Sequence, residues 1–205
     1  MTTRLTALSA LAASLTLTAC GAGGAPPALA GTATPVYNKE TGRLERLESD
    51  TNHDGRVDTI AHMDGVRLTF IEIDRDFDGR SDRWEYYRDA PGTAAAARAP
   101  DGRSVLERAE EANGHDDRVT RRVFYVDGVI ARVEDDVDLD GRVDKWEVYE
   151  AGILRQMDLD TDGVGRATRR LVYDASGQVI RVEEDPDGDQ QFTPVSPAGK
   201  GGGRS

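Results

Sequence analysis

A short acidic sequence recurs along the chain, and its spacing constrains the fold more than any other feature. The acidic stretches crowd aspartate around a glycine, and they read DTNHDGRVD (50–58), DRDFDGRSDRWEYY (74–87), DVDLDGRVDKWEVY (136–149), DLDTDG (158–163) and DPDGD (185–189). Gly55 and Gly79 are 24 residues apart, Gly141 and Gly163 are 22 apart, and Gly163 and Gly188 are 25 apart. Periods of this length indicate a repeat architecture in which each copy is one supersecondary unit.

The segments between the acidic stretches repeat as well. YNKETGRLERLESD (37–50), YVDGVIARVEDD (125–136) and YDASGQVIRVEED (173–185) each place a tyrosine before a glycine turn, followed by matched Arg, Glu and Asp positions. The matched arginines are Arg46, Arg132 and Arg181, and we expect them to pair with acids across strands. A sixth, degenerate copy has the loop ANGHDD (112–117), and the Ala/Pro/Gly-rich segment 88–102 before it is predicted to be an inserted surface loop.

The repeat length favours strands over helices. Two helices of roughly ten residues around a twelve-residue loop do not fit a 24-residue period. In GVIARVED, Val129, Ala131 and Val133 alternate with Ile130, Arg132 and Glu134, which is the two-residue period of a strand. We therefore predict a mainly β fold over residues 36–193, an antiparallel β-meander of tandem strand–loop–strand repeats of about 24 residues.

Two acidic stretches carry the complete pattern D-x-D-x-D-G-x-x-D-x-x-E, which resembles the calcium-binding loop of EF-hand proteins. That resemblance implies carboxylate ligands at positions 1, 3, 5, 9 and 12, a backbone carbonyl at position 7 and a glycine at position 6. Ca²⁺ is a hard cation that takes roughly six to eight oxygen ligands. The predicted ligands are Asp74, Asp76, Asp78, Arg80 (carbonyl), Asp82 and Glu85, and then Asp136, Asp138, Asp140, Arg142 (carbonyl), Asp144 and Glu147.

The remaining stretches keep part of this ligand set. The first has alanine at position 12, the fourth loses its ninth ligand, and the fifth is shortened, so we expect calcium affinity to fall in that order. Their candidate ligands are Asp50, Asn52, Asp54 and Asp58, then Asp158, Asp160 and Asp162, and then Asp185, Asp187 and Asp189. The alternative is that these acidic glycine loops are solvated turns, which Asp and Gly also favour.

The N-terminus predicts export. A basic start, MTTR, precedes a short run of apolar and small residues that is typical of a signal peptide. Residues 17–20 (LTAC) resemble the lipobox of bacterial lipoproteins, which implies cleavage before Cys20, a lipid on its sulfur and, with Gly21 next, the outer membrane. The predicted organisation is a signal peptide (1–19), a flexible tether (20–35), the repeat domain (36–193) and a disordered tail (194–205).

The net charge and the motifs limit which functions the chain can have. The formal net charge of −12 argues against nucleic acid and against an anionic membrane as partners. The loops also resemble calcium loops on the β-hairpins of the integrin propeller family, the YD repeats of RHS-type surface proteins and, in part, dockerin modules. The first two resemblances imply a hairpin architecture, whereas the apolar helix expected after a dockerin loop is missing, since DTIAHMDG follows the first loop. Together with the lipobox, they lead us to expect a cell-envelope lipoprotein with a structural or adhesive role.

The alternative function is a calcium-dependent protein- or glycan-binding module. Its binding face would use the two tryptophans and the repeated tyrosines, which are Trp84, Trp146, Tyr87, Tyr125, Tyr149 and Tyr173. Core or cross-strand packing is the simpler role for these aromatic residues. A hydrolase is a weaker hypothesis, because the repeat already accounts for the paired carboxylates, and no catalytic residue is predicted.

Overall fold

A computed structural model describes residues 33–92, 102–113 and 118–195. These residues form one antiparallel sheet of 13 strands in sequential order, with no helix among them, which confirms the predicted meander. The strands are β1 (Thr34–Tyr37), β2 (Leu44–Ser49), β3 (Thr59–Asp64), β4 (Arg67–Ile73), β5 (Arg83–Asp89), β6 (Ser104–Ala112), β7 (Val119–Val126), β8 (Val129–Asp135), β9 (Lys145–Glu150), β10 (Ile153–Leu159), β11 (Arg169–Tyr173), β12 (Val179–Glu184) and β13 (Thr193–Pro194).

The predicted signal peptide, Cys20 and most of the predicted tether and tail lie outside the described residues. The sheet extends slightly beyond the predicted domain, since β1 starts at Thr34 and β13 ends at Pro194. Within the described ranges, a helix long and apolar enough to cross a membrane is not found.

The two ends of the sheet differ in their connections. Short turns lie at one end, where Asp127–Gly128 and Ala151–Gly152 have the positive φ angles of tight hairpin turns. The acidic loops lie at the other end, because alternate connections of a meander fall on opposite ends of its strands. The inserted segment leaves β5 and enters β6 at the turn end, in the middle of the sheet rather than beside either edge strand.

One row of directly opposed residues crosses the sheet and contains most of its buried apolar side chains. In the described part, the strands contact mainly their neighbours in sequence, and contacts such as those of β4 with β6 are marginal. Because no second layer of the described chain packs on this sheet, its buried side chains are covered by other side chains of the same sheet. Tyrosines of the next row, such as Tyr87 and Tyr149, pack over the small residues of this row and cover them. The buried members of the row are Ala61, Ile71, Glu85, Ala109, Val123, Val133 and Glu147.

The opposite face is a ladder of aromatic and charged side chains. The rings of Phe70 and Tyr86 lie 5.0 Å apart, and the Arg108 guanidinium lies 4.2 Å above the Tyr86 ring. Trp84 belongs to this face, since it is opposed to Glu72 and adjoins Tyr86 in alternation. Tyr87 lies with Glu85 on the buried face, as the alternation of β5 requires.

The predicted face that combines the tryptophans with the repeated tyrosines is therefore not formed, because Tyr87, Tyr125 and Tyr149 pack against the buried clusters. Tyr149 packs in the buried cluster with Val133, while Trp146 precedes the buried Glu147 and lies on the other face. The matched arginines also differ from expectation, because their ion pairs run along their own strands rather than across the sheet. These pairs are Arg46–Glu48 at 2.6 Å, Arg132–Glu134 at 3.0 Å and Arg181–Glu183 at 2.7 Å.

Candidate metal centre

The loops form a hydrogen-bonded column at one end of the sheet. We number them L1 (50–58), L2 (74–82), L3 (112–120), L4 (136–144), L5 (160–168) and L6 (185–193), each with positions 1 to 9; residues 114–117 of L3 lie outside the described part. The position 1 N–H of each loop donates to the position 9 carbonyl of the loop before it. The bonds are Asp74 to Asp58 at 2.8 Å, Ala112 to Asp82 at 2.8 Å, Asp136 to Thr120 at 2.8 Å, Asp160 to Asp144 at 2.7 Å and Asp185 to Thr168 at 2.9 Å.

This column corrects the predicted register of the fourth acidic stretch. The N–H of Gly165 donates to Oδ2 of Asp160 at 2.6 Å, just as that of Gly141 donates to Asp136 at 2.9 Å. Asp160 is therefore position 1 and Gly165 is position 6, which restores a spacing of 24 residues from Gly141. Gly163, with φ of 71°, occupies position 4, where the sequence motif had placed it at position 6.

Asp158 is consequently not a loop residue. It lies on β10, and its carboxylate receives the Arg170 guanidinium at 2.8 and 2.9 Å. The predicted role of Asp158 as the first metal ligand is wrong, because the motif D-L-D-T-D-G fits two registers and the strand pairing selects the later one.

The carboxylates of L2 converge. Oxygen atoms of Asp74, Asp76 and Asp78 lie within 4.8 Å of one another. Asp74 is only 8 % exposed; its Oδ2 accepts the Gly79 N–H at 2.8 Å, but its buried Oδ1 has no hydrogen-bond partner. A buried carboxylate oxygen without a partner is costly, and a cation among these three groups would satisfy it.

L4 repeats the arrangement with a slightly different set. Oxygen atoms of Asp136, Asp138 and Asp144 lie within 4.8 Å of one another. Asp136 is also 8 % exposed, with Oδ2 bonded to Gly141 N–H and Oδ1 buried without a partner. Asp140 is outside this triplet, and its Oδ1 accepts the Arg142 N–H at 2.8 Å.

Position 9 closes both loops. Oδ2 of Asp82 accepts the N–H groups of Arg75 at 2.8 Å and Asp76 at 3.3 Å, which draws the start of L2 toward its end. Oδ2 of Asp144 does the same in L4, with bonds of 2.7 Å from Val137 and 3.1 Å from Asp138. These clamps hold the early aspartates in a converging arrangement.

The two position 12 glutamates are directed into the sheet. Glu85 is buried and receives the Arg83 guanidinium at 2.7 Å and the Tyr87 hydroxyl at 2.7 Å. Burial and this contact with Glu85 raise the pKa of Tyr87. The predicted closing ligand of L2 is thus engaged elsewhere, and it is not part of the carboxylate triplet.

Glu147 is held in the same way beside L4. It receives the Tyr149 hydroxyl at 2.7 Å and lies 3.2 Å from the Lys145 ammonium. Desolvation, followed by the hydrogen bond to Glu147, raises the pKa of Tyr149 to about 12. In an EF-hand loop, the last glutamate supplies two of the cation's ligands. A cation held by L4 would therefore have these coordination positions left open by Glu147.

In L1 and L6, backbone groups occupy both oxygens of the first aspartate. Asp50 accepts N–H groups of Asp54 at 3.2 Å and Gly55 at 2.8 Å. Asp185 accepts those of Gly188 at 2.9 Å and Gln190 at 3.0 Å, although it forms an oxygen cluster with Asp187 and Asp189. The predicted L1 ligands Asn52, Asp54 and Asp58 also bond within the loop, for example Asn52 Nδ2 to Asp54 Oδ2 at 3.1 Å.

L5 satisfies its aspartate most fully. Asp160 accepts the N–H groups of Asp162, Gly163, Val164 and Gly165 at 2.6–3.3 Å. Desolvation acts to raise the pKa of Asp160, but the hydrogen bonds from Gly165 and its neighbours outweigh it and lower that pKa. A threonine replaces the position 9 acid here: Thr168 Oγ1 accepts the Thr161 N–H at 3.0 Å.

Arginines at position 7 connect neighbouring loops, a role that sequence reasoning missed. Arg118 donates to the Leu139 carbonyl at 2.8 Å, and Arg142 donates to the Gly163 carbonyl at 3.4 Å, each bond linking one loop to position 4 of the next. The signal was present, because arginine follows the position 6 glycine in L1, L2, L4 and L5. Only the backbone carbonyls of Arg80 and Arg142 had been predicted to matter.

The described aspartate triplets can hold a divalent cation, and L2 and L4 are the loops that leave a buried oxygen for it. Comparison with known proteins adds no further constraint: no protein-family model matches the chain, and a search of curated proteins finds no relative.

Proposed function

We propose that this chain is a calcium-stabilised β-repeat domain of a lipid-anchored bacterial cell-envelope protein, with a structural or adhesive role. The observation that carries the proposal is the pair of buried, unpartnered oxygens, Asp74 Oδ1 and Asp136 Oδ1, each within a converging aspartate triplet.

The donor chemistry favours Ca²⁺. Both triplets offer carboxylate oxygens alone, and such ligands are preferred by hard cations rather than by soft metals. Mg²⁺ demands near-ideal octahedral geometry, whereas Ca²⁺ accepts irregular oxygen sets supplied by a flexible loop. L2 and L4 supply irregular sets, since their triplets differ in which positions converge.

A structural role follows from the thin core. The buried apolar residues of the described part are Ala61, Leu68, Ile71, Val105, Ala109, Val123 and Val133, while twelve buried residues are polar or charged. A single-layer sheet with so little apolar burial needs other stabilisation. Cation binding to L2 and L4 would stabilise the loops that join β4 to β5 and β8 to β9. Because the cation binds only the folded loops, its binding free energy adds to the stability of the folded chain.

The envelope location is supported by the sequence around Cys20, which resembles a lipobox after a signal-peptide-like segment. Metabolic labelling with a radioactive fatty acid in a bacterial host tests it. Label in the parent chain that disappears in Cys20→Ser supports the anchor, and equal label in both chains contradicts it.

Isothermal titration calorimetry on the full chain, first stripped with a chelator, tests calcium binding. We expect saturable heat with two strong sites, one of which is lost in Asp136→Asn. The matched control is Asp160→Asn, the same substitution at the same loop position in L5, and it should keep both sites. Absence of heat in the parent chain would overturn the proposal, as would equal loss of sites in the two variants.

A further inference from the structure

We propose that the calcium-loaded loop end docks on a phospholipid surface, where lipid phosphate oxygens complete the coordination of the ions at L2 and L4. Apolar side chains at the tips of the same two loops enter the lipid interface. This inference rests on the proposed calcium function and adds a partner for that site.

The first support is the incomplete coordination of the proposed sites. Glu85 is held by Arg83 and Tyr87, and Glu147 by Lys145 and Tyr149, so neither carboxylate joins its loop's triplet. A calcium ion takes roughly six to eight oxygens, and these glutamates would have supplied two of them in a bidentate manner. Positions therefore remain for external oxygen donors, and a phosphate is a strong one.

The second support is the side chain at position 4. Phe77 in L2 and Leu139 in L4 are each 41 % exposed, and their φ angles are 62° and 67°. A left-handed backbone is uncommon for bulky residues, and such strain tends to accumulate at functional sites. In the other loops with a described position 4, that residue is His53, Gly163 or Gly188. Among these loops, an apolar residue at position 4 and an unpartnered buried carboxylate oxygen therefore occur together in L2 and L4 alone.

The third support is the direction from which the chain enters the sheet. Thr34, the first residue of β1, is opposed to Glu48 near the end of β2, so β1 starts at the loop end. Cys20 precedes Thr34 by 14 residues, a distance of at most about 50 Å when fully extended. A lipid on Cys20 would consequently keep the sheet within that distance of the membrane, with the chain entering the sheet at its loop end.

Charge makes this docking dependent on calcium. The chain carries a net charge of −12, and clustered loop carboxylates repel lipid phosphate when no cation lies between them. A bound Ca²⁺ offsets two of the negative charges of its loop, which weakens this repulsion, and it bridges the two sets of oxygens. The apolar tips then gain by burial in the interface.

The test is flotation of the full chain carrying Cys20→Ser with net-neutral vesicles of phosphatidylethanolamine and phosphatidylcholine. The apolar segment before Cys20 is common to all variants, so only differences between them and between calcium and chelator count. We expect calcium-dependent flotation and a partition coefficient at least about tenfold lower for Phe77→Ser/Leu139→Ser, because burial of one large apolar side chain alone is worth about that factor.

The matched control is Val66→Ser/Val126→Ser, which removes side chains that are 64 % and 61 % exposed at the turn end. It should float like the parent. Equal loss in the two double variants overturns the docking geometry, and flotation that ignores calcium overturns the bridging. If calorimetry shows calcium binding but vesicles capture nothing, the inference fails and the calcium function stands.

Discussion

L4 and L5 are neighbours in the column and share a backbone conformation, but they differ in the hydrogen bonds that their first aspartate accepts. Both position 6 glycines donate to that aspartate, and both loops hold left-handed residues at positions 4 and 6. In L4 one oxygen of Asp136 is buried without a partner, whereas Asp160 in L5 accepts four N–H groups. The loop fold therefore does not require a metal, and side chains decide whether the loop has room for one.

The deciding positions can be named. Position 5 is Asp140 in L4 and Val164 in L5, and position 9 is Asp144 and Thr168 respectively. The Asp140 N–H donates to Asp138 at 3.1 Å, while the Val164 N–H turns to Asp160 at 3.3 Å. Both side chains are carboxylates in L4, whereas L5 has a valine at position 5 and a neutral hydroxyl clamp at position 9. A copy without carboxylates at positions 5 and 9 thus keeps the hairpin.

The largest effect should come from removing calcium altogether. Two sites at about a hundredfold excess over Kd contribute roughly 5 kcal/mol. For a domain of this size, that corresponds to a fall in Tm of roughly 10–20 °C in excess chelator. Circular dichroism at a strand wavelength measures it, with calcium added back as the control. An unchanged Tm would mean that L4 behaves like L5 and needs no ion.

Rebuilding L5 as a copy of L4 sharpens the comparison. Val164→Asp/Thr168→Asp gives L5 acids at positions 1, 3, 5 and 9, with the Arg166 carbonyl at position 7. Calorimetry should then count one more calcium site than in the parent, stabilising the chain by roughly 2–3 kcal/mol at a hundredfold excess of calcium over Kd.

The control for this gain is Val164→Asn/Thr168→Asn, which has a similar size without the charge. It should add no strong site. If the aspartate variant also adds none, the four N–H groups around Asp160 hold it more firmly than a cation can, and metal binding in L4 must depend on more than its carboxylates.

The strands could be predicted because the repeat is too short for paired helices and segments such as 129–134 alternate with a period of two. A meander is the simplest way to join such strands. Asp74 and Asp136 could be predicted as ligands because their loops carry the whole motif. Sequence reasoning misplaced Asp158, since two glycines two residues apart permit two registers and only strand pairing chooses between them. Glu85 and Glu147 were misassigned because the helical exit of an EF-hand loop was applied to a strand, where alternation turns position 12 into the sheet.

The smallest expected effect is also the sharpest contrast, because the same substitution should act with opposite sign in neighbouring loops. In chelator at neutral pH, Asp160→Asn removes an acceptor from several N–H groups and should cost about 1 kcal/mol or less, given solvent screening. Asp136→Asn removes a charge whose buried oxygen has no partner, so it should be neutral or stabilising. Urea denaturation in excess chelator measures both changes.

The cost of Asp160→Asn should also depend on pH in a defined direction. The folded pKa of Asp160 lies below its ordinary value of 3.8, so its ionised form stabilises the fold above that value. This contribution is lost as the pH falls through the lowered folded pKa, where the parent aspartic acid and the asparagine become alike. The difference in unfolding free energy between parent and Asp160→Asn should hence be full near neutrality and shrink below about pH 4. A gap that stays constant into strong acid would show that the carboxylate charge does not hold L5 together, and the distinction between a loop closed by its own N–H groups and one that awaits a cation would lose its basis.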